Sequence, residues 1–335
     1  MTYLITGAAG FIGAALAEKL LRDGKTVYGL DNLNDYYSVA LKQERIEQLQ
    51  QLGGDRFIFR KVDLANYTQL LEYVGESQPA VILHMAAQAS VRHALKNPQA
   101  YCHSNLVGHF NMLEVCRQYQ EQHPKKFKHF VYASTSSIYG GNEKTPFEET
   151  DDVSRPVSLY AATKRADELM TYTYSHTFNL PATAVRFFTV YGPWGRPDMS
   201  PWLFASAILD NRPIPVFNHG DLWRDFTYVD DIVEGVIRLS DHIPQKTEKN
   251  PPHEIYNIGN NQPIKLLDYI QKMGKILGKE PILDLQEWPP TEVYKTYADT
   301  SKLETAIGWK PSTSLESGLQ KFADWFVPYY TQQKS

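Results

Sequence analysis

Short apolar segments alternate with longer amphipathic ones along the first half of the chain. The short segments predict buried strands, because they are rich in β-branched and aromatic residues. The longer ones repeat apolar residues every three to four positions, which predicts helices. The predicted strands are Thr2–Thr6, Thr26–Leu30, Phe57–Lys61, Ala80–His84, His129–Ala133 and Ala182–Phe187. The predicted helices are Phe11–Arg22, Leu41–Leu52, Tyr67–Val74, Asn97–Gln118 and Leu159–Phe178.

This alternation predicts an α/β fold built on a doubly wound parallel sheet, since right-handed crossovers place helices on both faces. The regular alternation ends after Tyr191. The segment Gly192–Asp198 is rich in glycine and proline and is predicted to be a loop, and short strands, helices and proline-rich connections follow it. We therefore predict two domains, a sheet domain over 1–188 and a smaller mixed α/β lobe over 189–335. Part of the lobe is expected to pack back on the first domain.

Composition excludes several functional classes. The 335 residues carry a formal net charge of −4, so no basic field is present to bind nucleic acid. No apolar run approaches the ~18 residues that span a bilayer, and no signal peptide is visible, so we expect a cytoplasmic protein without membrane contact. Cys102 and Cys116 are expected to be free thiols, and no metal site is expected.

A glycine-rich turn joins the first predicted strand to the first predicted helix. Gly7, Gly10 and Gly13 stand three residues apart. In such a turn the glycines allow the tight bend, the approach of the backbone to a pyrophosphate, and close packing of helix on strand. The pyrophosphate lies on the N–H groups that open the helix, here at Phe11 and Ile12. Because the required strand and helix flank the turn, we predict a Rossmann-type dinucleotide-binding domain.

The type of dinucleotide follows from Asp31, at the end of the second predicted strand. A carboxylate about 20 residues after the glycine turn accepts hydrogen bonds from the adenosine ribose hydroxyls. It would repel the 2′-phosphate of NADP, and no arginine stands beside it in the sequence. We therefore predict NAD; the alternative interpretation of Asp31 is a simple turn residue.

A tyrosine and a lysine stand four residues apart in the predicted helix Leu159–Phe178. Tyr160 and Lys164 then share a helix face, with Cβ atoms about 5–6 Å apart. A nearby cation lowers the pKa of a tyrosine toward neutral pH, as a general acid/base needs. Upstream, the hydroxyls of Ser134–Ser137 end a strand. One of them is expected to bond the reacting oxygen of the substrate, and at least two simply terminate the strand.

These features make the chain resemble the extended short-chain dehydrogenase/reductases over nearly its whole length. Among them it is most similar to the nucleotide-sugar 4-epimerases, and there to the UDP-glucuronate 4-epimerases. The segments that carry the resemblance are Thr6–Gly13, Asp31–Tyr37, His84–Gln88, Tyr160 with Lys164, Arg186–Met199 and Arg224–Asp231. The resemblance implies an NAD-dependent isomerase, and a homodimer packed through the helices Asn97–Gln118 and Leu159–Phe178.

The resemblance also implies a role for each matched residue. Tyr160 would be the acid/base and Lys164 would hold the nicotinamide ribose. Thr135 matches the catalytic serine or threonine, a role open to Ser136 or Ser137 as well. Further cofactor contacts are implied for Asn32, Asn34, Asp63, Leu64, Ala86, Ala87, Asn105 and Phe187. Substrate contacts are implied for Thr189 and Arg224 at the phosphates and for Phe217 near uracil.

For a 4-epimerase, the resemblance implies that Tyr160 takes the proton of the sugar 4-hydroxyl while C4 gives hydride to NAD. The 4-keto sugar turns over and takes the hydride back on its other face. The 4-keto form of a uronic acid loses CO₂ easily, so an enzyme that makes UDP-galacturonate from UDP-glucuronate must hold the carboxylate. We expect Arg196 to hold it, with Arg92 as a second candidate; the alternative for Arg196 is a surface ion pair.

Other functions stay open at this point. A UDP-uronate decarboxylase and a 4-epimerase of a neutral or N-acetylated UDP-hexose share the fold and the cofactor. A simple alcohol dehydrogenase would exchange its cofactor freely, and a non-catalytic NAD-binding regulator would not need Tyr160 and Lys164. The chain also has Glu292 and Lys295 where the family pattern has Asp and Arg, which bears on the substrate.

Overall fold

The computed structural model describes residues 1–287 and 293–334. Its strands are β1 Thr2–Thr6, β2 Thr26–Asp31, β3 Phe57–Lys61, β4 Val81–His84, β5 His129–Thr135, β6 Ala182–Phe187, β7 Thr189–Tyr191, β8 Ile214–Phe217, β9 Trp223–Tyr228, β10 His253–Ile258, β11 Pro263–Lys265 and β12 Leu283–Gln286. Its α-helices are α1 Phe11–Arg22, α2 Val39–Gly53, α3 Tyr67–Ser77, α4 Val91–Lys96, α5 Pro98–Tyr101, α6 Gly108–Gln122, α7 Leu159–Phe178, α8 Ser200–Leu209, α9 Val229–Asp241, α10 Leu266–Leu277, α11 Ser301–Ile307 and α12 Leu315–Gln332.

Strands β1 to β6 form the predicted doubly wound sheet. In the described residues this sheet has seven strands in the order β10-β6-β5-β4-β1-β2-β3. The neighbouring strands from β6 to β3 pair in parallel. This is the Rossmann order with β10 added at one edge, so the predicted fold class is confirmed. The chain order reverses between β1 and β4, where ligands bind at the carboxyl ends of the strands.

The central strands of this sheet are mainly apolar because both of their faces are covered. Every residue of β4 and β6 is buried. Leu4 of β1, Ile82 of β4 and Phe130 of β5 belong to one core cluster with Leu113 of α6 and Val74 of α3. Burial of each such side chain stabilises the fold by about 1.5–3 kcal/mol. This requirement for apolar residues is why the strands can be predicted from short apolar runs in the sequence.

The structure differs most from the predicted elements in two places, and several other elements differ only by a few residues at their ends. The predicted helix Asn97–Gln118 is divided into α5, a π-helical segment over Cys102–Val107, and α6. Strand β10 was not predicted, because its sequence His-Glu-Ile-Tyr-Asn-Ile begins with polar residues. By contrast, β1, β3, β6, α1 and α7 begin and end at the predicted residues.

The chain divides into two compact units. The first comprises Met1–Gly141, Glu149–Phe187 and Val233–Tyr256. The second comprises Asn142–Glu148, Phe188–Ile232 and Asn257–Ser335. The predicted domains, 1–188 and 189–335, are single stretches, whereas each unit combines three. The second unit contains, within the part of the chain that is described, a three-stranded sheet ordered β11-β9-β7 and a pair of β8 with β12.

Three further findings concern the described residues as a whole. None of their helices is both long and apolar enough to cross a membrane. No group of three histidine, cysteine, aspartate or glutamate side chains among them is placed to hold a metal ion. Both cysteines, Cys102 and Cys116, are free, and Cys116 is buried.

Candidate active site

The loop after β1 meets the loop after β4 at the carboxyl edge of the sheet. Thr6 ends β1, and its hydroxyl lies 2.8 Å from Nδ1 of His84, which ends β4. The same hydroxyl accepts a hydrogen bond from the backbone N–H of Ala86 at 3.1 Å. Gly7 has φ +70°, and a Cβ atom there would lie 2.8 Å from that backbone nitrogen. Position 7 therefore requires glycine, both for its backbone conformation and for the close approach of the two loops.

The N-terminus of α1 forms a cradle for an anion. Gly10 precedes the helix, donates its N–H to the carbonyl of Gly7 at 2.9 Å, and has no side chain with which to cap the first turn. A Cβ atom on Gly13 would collide with the same Gly7 carbonyl. The first-turn N–H groups at Phe11 and Ile12 thus remain for a ligand, and the helix dipole favours negative charge there. These residues fit the pyrophosphate of a dinucleotide.

Asp31 ends β2 beside the cradle, and its carboxylate accepts a hydrogen bond from the N–H of Leu33 at 2.8 Å. Burial raises the pKa of Asp31 above its ordinary value, and the charges of Lys42 and Arg45 oppose that rise. Both cations are buried on α2, and Arg45 donates to the carbonyl of Ala9 at 2.8 Å. Sequence reasoning missed them, because isolated cations on an amphipathic helix are usually exposed.

Other predicted cofactor residues lie together at the ends of β2 and β3. The side chain of Asn32 donates to Asp63 at 3.0 Å and accepts from the N–H of Asn34 at 3.1 Å. Leu64 is buried, and its carbonyl accepts a hydrogen bond from the Asn111 side chain of α6 at 2.9 Å. The structure thus brings these residues into one network beside Asp31.

Asn105 lies on the π-helical segment and joins the loop after β4 to helix α7. Its Oδ1 accepts from the N–H of Gln88 at 2.8 Å, and its Nδ2 donates to the carbonyl of Gln88 and to the hydroxyl of Thr163. The Thr163 hydroxyl donates in turn to the carbonyl of Tyr160 at 2.8 Å. Because its amide is committed to these bonds, Asn105 positions α7 against the loop that carries Ala86 and Ala87. A π-helical turn at such a point is common at functional sites.

Tyr160 lies in the first turn of α7 and is half-buried. Ser158 caps this turn, since its hydroxyl accepts a hydrogen bond from the N–H of Ala161 at 3.1 Å. The Tyr160 ring meets the Tyr101 ring edge-on, with centroids 6.3 Å apart. In 1–287 and 293–334 no side chain or backbone group hydrogen-bonds the Tyr160 hydroxyl.

The ammonium of Lys164 does not pair with Tyr160. It donates to Oδ2 of Asp167, almost one turn further along α7, at 2.7 Å. Both charged side chains are buried. Burial raises the pKa of Asp167 to about 6, although Lys164 opposes the rise. The i, i+4 spacing located Lys164 correctly on the helix, but nothing in the sequence singled out Asp167 as its partner.

The hydroxyls at the end of β5 divide into two kinds. Ser134 is buried and donates to Glu168 of α7 at 2.7 Å, so it is structural. Thr135 ends the strand, and its Oγ1 accepts from the N–H of Ser137 at 3.1 Å and donates to the Ser137 hydroxyl at 3.2 Å. Ser136 and Ser137 are half-buried.

A buried ion pair fixes the strands and the helix that carry these groups. Arg186 of β6 donates from Nε and Nη2 to the two oxygens of Glu168, each at 2.9 Å, and from Nη1 to the hydroxyl of Tyr139. Burial opposes ionisation of Glu168, but the hydrogen bonds and the charge of Arg186 outweigh it and lower the pKa. Phe187, next to Arg186, is paired in register with Thr135. Sequence reasoning did not single out this ion pair, although one feature indicates it: Arg186 is the only charged residue in the otherwise apolar strand β6.

Arg92 and three of the predicted substrate residues occupy separate places. Arg92 is exposed on α4 in the first unit. Thr189 begins β7 and Phe217 ends β8, both in the second unit. Arg196 of the second unit forms a two-bond pair with Asp198, with Nε–Oδ1 at 3.0 Å and Nη2–Oδ2 at 2.6 Å. This partner was not predicted, and the pair is partly buried rather than at the surface.

Arg224 lies on β9 in the second unit. Its Nη1 donates to its neighbour's carbonyl, that of Trp223, at 2.9 Å and to the carbonyl of Tyr294 at 3.2 Å. Lys295 lies 6.0 Å from the centre of the Trp223 ring. The predicted departure at Glu292 lies outside the described residues. Arg224 is thus held next to the segment that begins at Val293.

One known protein family matches nearly the whole chain. Residues 4–322 match the family model of GDP-mannose 4,6 dehydratase. The chain belongs to this family. Within the GDP-mannose 4,6 dehydratase family it is 46% identical over 341 residues to protein CapI of Staphylococcus aureus, covering 98% of this chain and 99% of that protein. It is 42% identical over 344 residues to a probable UDP-glucuronate 4-epimerase of Rhizobium meliloti, covering 98% of each.

A solved structure from the same kind of enzyme matches the chain along its length. The UDP-glucuronic acid 4-epimerase of Bacillus cereus, in complex with UDP-glucuronic acid and NAD, is 33% identical, with a TM-score of 0.87. The match covers 98% of this chain and 100% of that one. The predicted resemblance to the UDP-glucuronate 4-epimerases is confirmed, since relatives and structures of that type span the whole chain.

Proposed function

We propose that this protein is an NAD-dependent UDP-sugar 4-epimerase that converts UDP-glucuronate to UDP-galacturonate. One observation carries the proposal: an unbroken series of contacts connects the glycine cradle to Tyr160. The cradle touches the loop after β4 at Ala86, and Asn105 joins that loop to Thr163, which bonds the Tyr160 carbonyl. A dinucleotide site and a general acid/base are thereby held in one rigid arrangement.

The first unit supplies the cofactor site in this proposal. Phe11 and Ile12 offer their N–H groups to the pyrophosphate, and Gly7 lets it approach. Asp31 binds the adenosine ribose, and the network of Asn32, Asn34 and Asp63 borders it. When bound, NAD supplies the hydride acceptor and donor of the reaction.

The chain's own residues supply proton transfer and position. Tyr160 takes the proton of the sugar 4-hydroxyl and later returns it, because its hydroxyl is half-buried and uncommitted to protein partners. Thr135 binds the same oxygen, alone or with Ser136 or Ser137. Ser134 has no part in it, since Glu168 holds its hydroxyl. Lys164 holds the nicotinamide ribose.

The second unit supplies the substrate contacts in this proposal. Arg224 and Thr189 bind the phosphates, and Phe217 lies against uracil. Arg196 holds the sugar carboxylate with the donors that Asp198 does not use, since the two-bond pair with Asp198 takes up Nε and one N–H of Nη2 and fixes the plane of the guanidinium. Holding the carboxylate is what prevents loss of CO₂ from the 4-keto sugar. Arg92 is the weaker candidate, since it is exposed on α4.

The reaction is tested by incubating the purified protein with UDP-glucuronate and no added NAD, and identifying products by NMR. UDP-galacturonate is the expected product, because the NAD reduced in the first step is reoxidised in the second. A UDP-pentose in its place would identify a decarboxylase, and no conversion at all would refute the proposal.

Tyr160→Phe tests the acid/base. We expect it to lose at least 100-fold in activity while it still binds NAD, since general acid/base catalysis contributes about 10²–10⁴-fold. The matched control is Tyr67→Phe, which removes the hydroxyl of a half-buried tyrosine on α3, away from the proposed site, and should leave activity unchanged.

Arg196→Ala tests the carboxylate contact. We expect weaker binding of UDP-glucuronate and release of some UDP-pentose, visible in the same NMR assay. Arg212→Ala is the control, because Arg212 forms a comparable pair with Asp210 at the surface of the second unit. Unchanged kinetics and no pentose from Arg196→Ala would remove Arg196 from the site.

We also propose a cytoplasmic homodimer. Val107 of the π-helical segment, Phe110 of α6, and Leu169 and Tyr172 of α7 are apolar or aromatic and between 45% and 54% exposed. Val107 and Phe110 are three residues apart and so are Leu169 and Tyr172, so the two members of each pair share a helix face. Helices α6 and α7 pack together, which brings the two faces close to each other. A second copy of this surface is a fitting cover for it. The free thiols of Cys102 and Cys116 support a reducing compartment.

A further inference from the structure

Lys164 and Asp167 form a buried ion pair, and the carboxylate has no part in the proposed reaction. The Nζ–Oδ2 distance is 2.7 Å, and the side chains are only 2% and 0% exposed. A charge so far from water persists only when it is paired, because desolvation penalises the ionised form. Each member of this pair therefore depends on the other.

The surroundings of Asp167 give its carboxylate little other support. Among the described residues, neither its Oδ1 nor Nδ1 of His109 has a hydrogen-bond partner, and Nδ1 lies 4.0 Å from Oδ2. The titratable groups around it are Lys164 and Glu168 on α7, His109 on α6, His84 on β4 and Tyr132 on β5. Burial lowers the pKa of His84 and of His109, so Lys164 carries the positive charge.

The position of Lys164 conflicts with the role proposed for it. An ammonium has three donors, but one that binds the nicotinamide ribose must also be within reach of the cofactor, and the Lys164 side chain is only 2% exposed beside Asp167. If it leaves, the charge that acts on Asp167 from the described part of the chain is that of a neighbouring carboxylate, Glu168. Even with the pair intact, burial raises the pKa of Asp167 to about 6. An unpaired Asp167 is therefore stable only in its neutral form.

We propose that NAD draws Lys164 away from Asp167, and that Asp167 takes up one proton from solvent as Lys164 leaves. An O–H bond forms on the carboxylate and nothing is oxidised or reduced. The inference rests on the proposed contact between Lys164 and the nicotinamide ribose. Asp167 is then a positioning residue: it holds Lys164 in the cofactor-free protein and gives up its own negative charge once the cofactor is bound. The full charge of Lys164 acts on Tyr160 only in the loaded enzyme.

This coupling gives the affinity for NAD a characteristic dependence on pH. If one proton is bound with each NAD, the affinity falls by up to about tenfold for each pH unit above the pKa of Asp167. The Tyr160 hydroxyl is proposed to act beside the nicotinamide, so the measurement belongs in the Tyr160→Phe background, where that group is absent.

The first experiment measures the affinity of full-length Tyr160→Phe protein, freed of cofactor under native conditions, for added NAD across neutral and mildly alkaline pH. We expect the fall of up to about tenfold per unit, and a flat profile after Asp167→Asn is added. The control is Asp225→Asn, which removes another buried aspartate whose pKa is raised to about 6 and should keep the slope. A slope that survives Asp167→Asn, or disappears with Asp225→Asn, would overturn the inference.

The second experiment looks for the proton itself by infrared spectroscopy. We expect the carbonyl stretch of a protonated carboxylic acid in the NAD-loaded protein, lost in Asp167→Asn. Lys164→Met should show this band with and without NAD, because Asp167 then has no partner in either state. A loaded protein without the band would refute the proposal. If Tyr160→Phe protein did not bind NAD at all, the proposed function would fall with it, whereas pH-independent binding would overturn this inference alone.

Discussion

At the residue scale, the proposed cofactor site contains a buried carboxylate, Asp31, beside two buried cations, Lys42 and Arg45. Asp31 was predicted from its place after β2, whereas Lys42 and Arg45 emerge only from the folded structure. Lys42 donates to the carbonyl of Asn34 at 2.7 Å, so it stiffens the loop that follows Asp31. The two cations also bring positive charge close to the Asp31 carboxylate. If Asp31 binds the adenosine ribose as proposed, its negative charge is what disfavours NADP.

Asp31→Asn tests this balance. We expect NAD to bind about 10- to 100-fold more weakly, since a hydrogen bond to a charged group is worth about 1.5–3 kcal/mol, and NADP to gain relative to NAD. Titration with each dinucleotide gives both numbers, and Asp55→Asn is the exposed control. Unchanged NAD affinity in Asp31→Asn would place the ribose elsewhere.

The ion pair of Arg186 with Glu168 is a second prediction at this scale. Arg186→Ala leaves Glu168 buried without its partner, so we expect a loss of about 3–5 kcal/mol in the free energy of unfolding. Arg165 also contacts Glu168 but is partly exposed, and Arg165→Ala should cost less than about 1 kcal/mol. Urea unfolding of both variants makes the comparison; equal losses would contradict the assignment.

Motif residues such as Gly7, Asp31 and Tyr160 were predictable because each one stands at a fixed place relative to a strand or a helix end. Asp167 and Glu168 were not. Both follow Lys164 and Arg165 on α7, and charged residues so close together are usually found on a solvent-exposed helix face. Their burial depends on α6, β5 and β6, which are distant in sequence, and a one-dimensional pattern does not contain that contact.

At the element scale, helix α7 carries Tyr160, the proposed acid/base, near its start and an exposed apolar face further along. Its limits were predictable, because Ser158 supplies a cap and the apolar period is regular. The interruption before α6 was not, because it depends on the bonds of Asn105 to Gln88 and Thr163. Those partners come from other elements.

Leu169→Asp tests the role of the exposed face of α7. Because two copies of Leu169 would be buried in a dimer, a charge there should convert the protein to a monomer. Sedimentation of the variant measures this directly. Leu203→Asp, on another exposed leucine, in α8, should leave the dimer intact. A dimeric Leu169→Asp protein would place the interface on another surface.

At the scale of the whole molecule, the parallel sheet was predictable because its strands are buried on both faces. The division into two units was not predictable. Residues 142–148 belong to the second unit although the residues on both sides of them belong to the first, and residues 233–256 belong to the first unit although their neighbours belong to the second. The second of these segments supplies Ser240, whose carbonyl accepts a hydrogen bond from Nδ1 of the buried His129 at 3.0 Å. Thr183 donates to Nε2 of the same ring at 2.9 Å.

His129 makes the stability of the fold sensitive to acid. Burial lowers the pKa of His129 to about 4. As the pH falls, the unfolded chain therefore binds a proton on this ring near pH 6.5, whereas the folded chain binds it only near pH 4. The contribution of His129 is complete above pH 6.5 and is lost as pH falls toward 4, by about 2 kcal/mol at pH 5. His129→Gln should flatten this part of the profile, and the exposed control His176→Gln should not. Urea unfolding near pH 8 and pH 5 tests it; equal acid sensitivity of His129→Gln and the parent would contradict the assignment.

The return of hydride to the carbon that gave it is the central claim about this protein, and one measurement tests it most directly. UDP-glucuronate carrying deuterium at C4 is incubated with the enzyme in ordinary water, and the product is examined by NMR. We predict UDP-galacturonate that retains deuterium at C4, because the hydride never leaves the site. UDP-galacturonate with hydrogen at C4, or a UDP-pentose as the main product, would contradict the account.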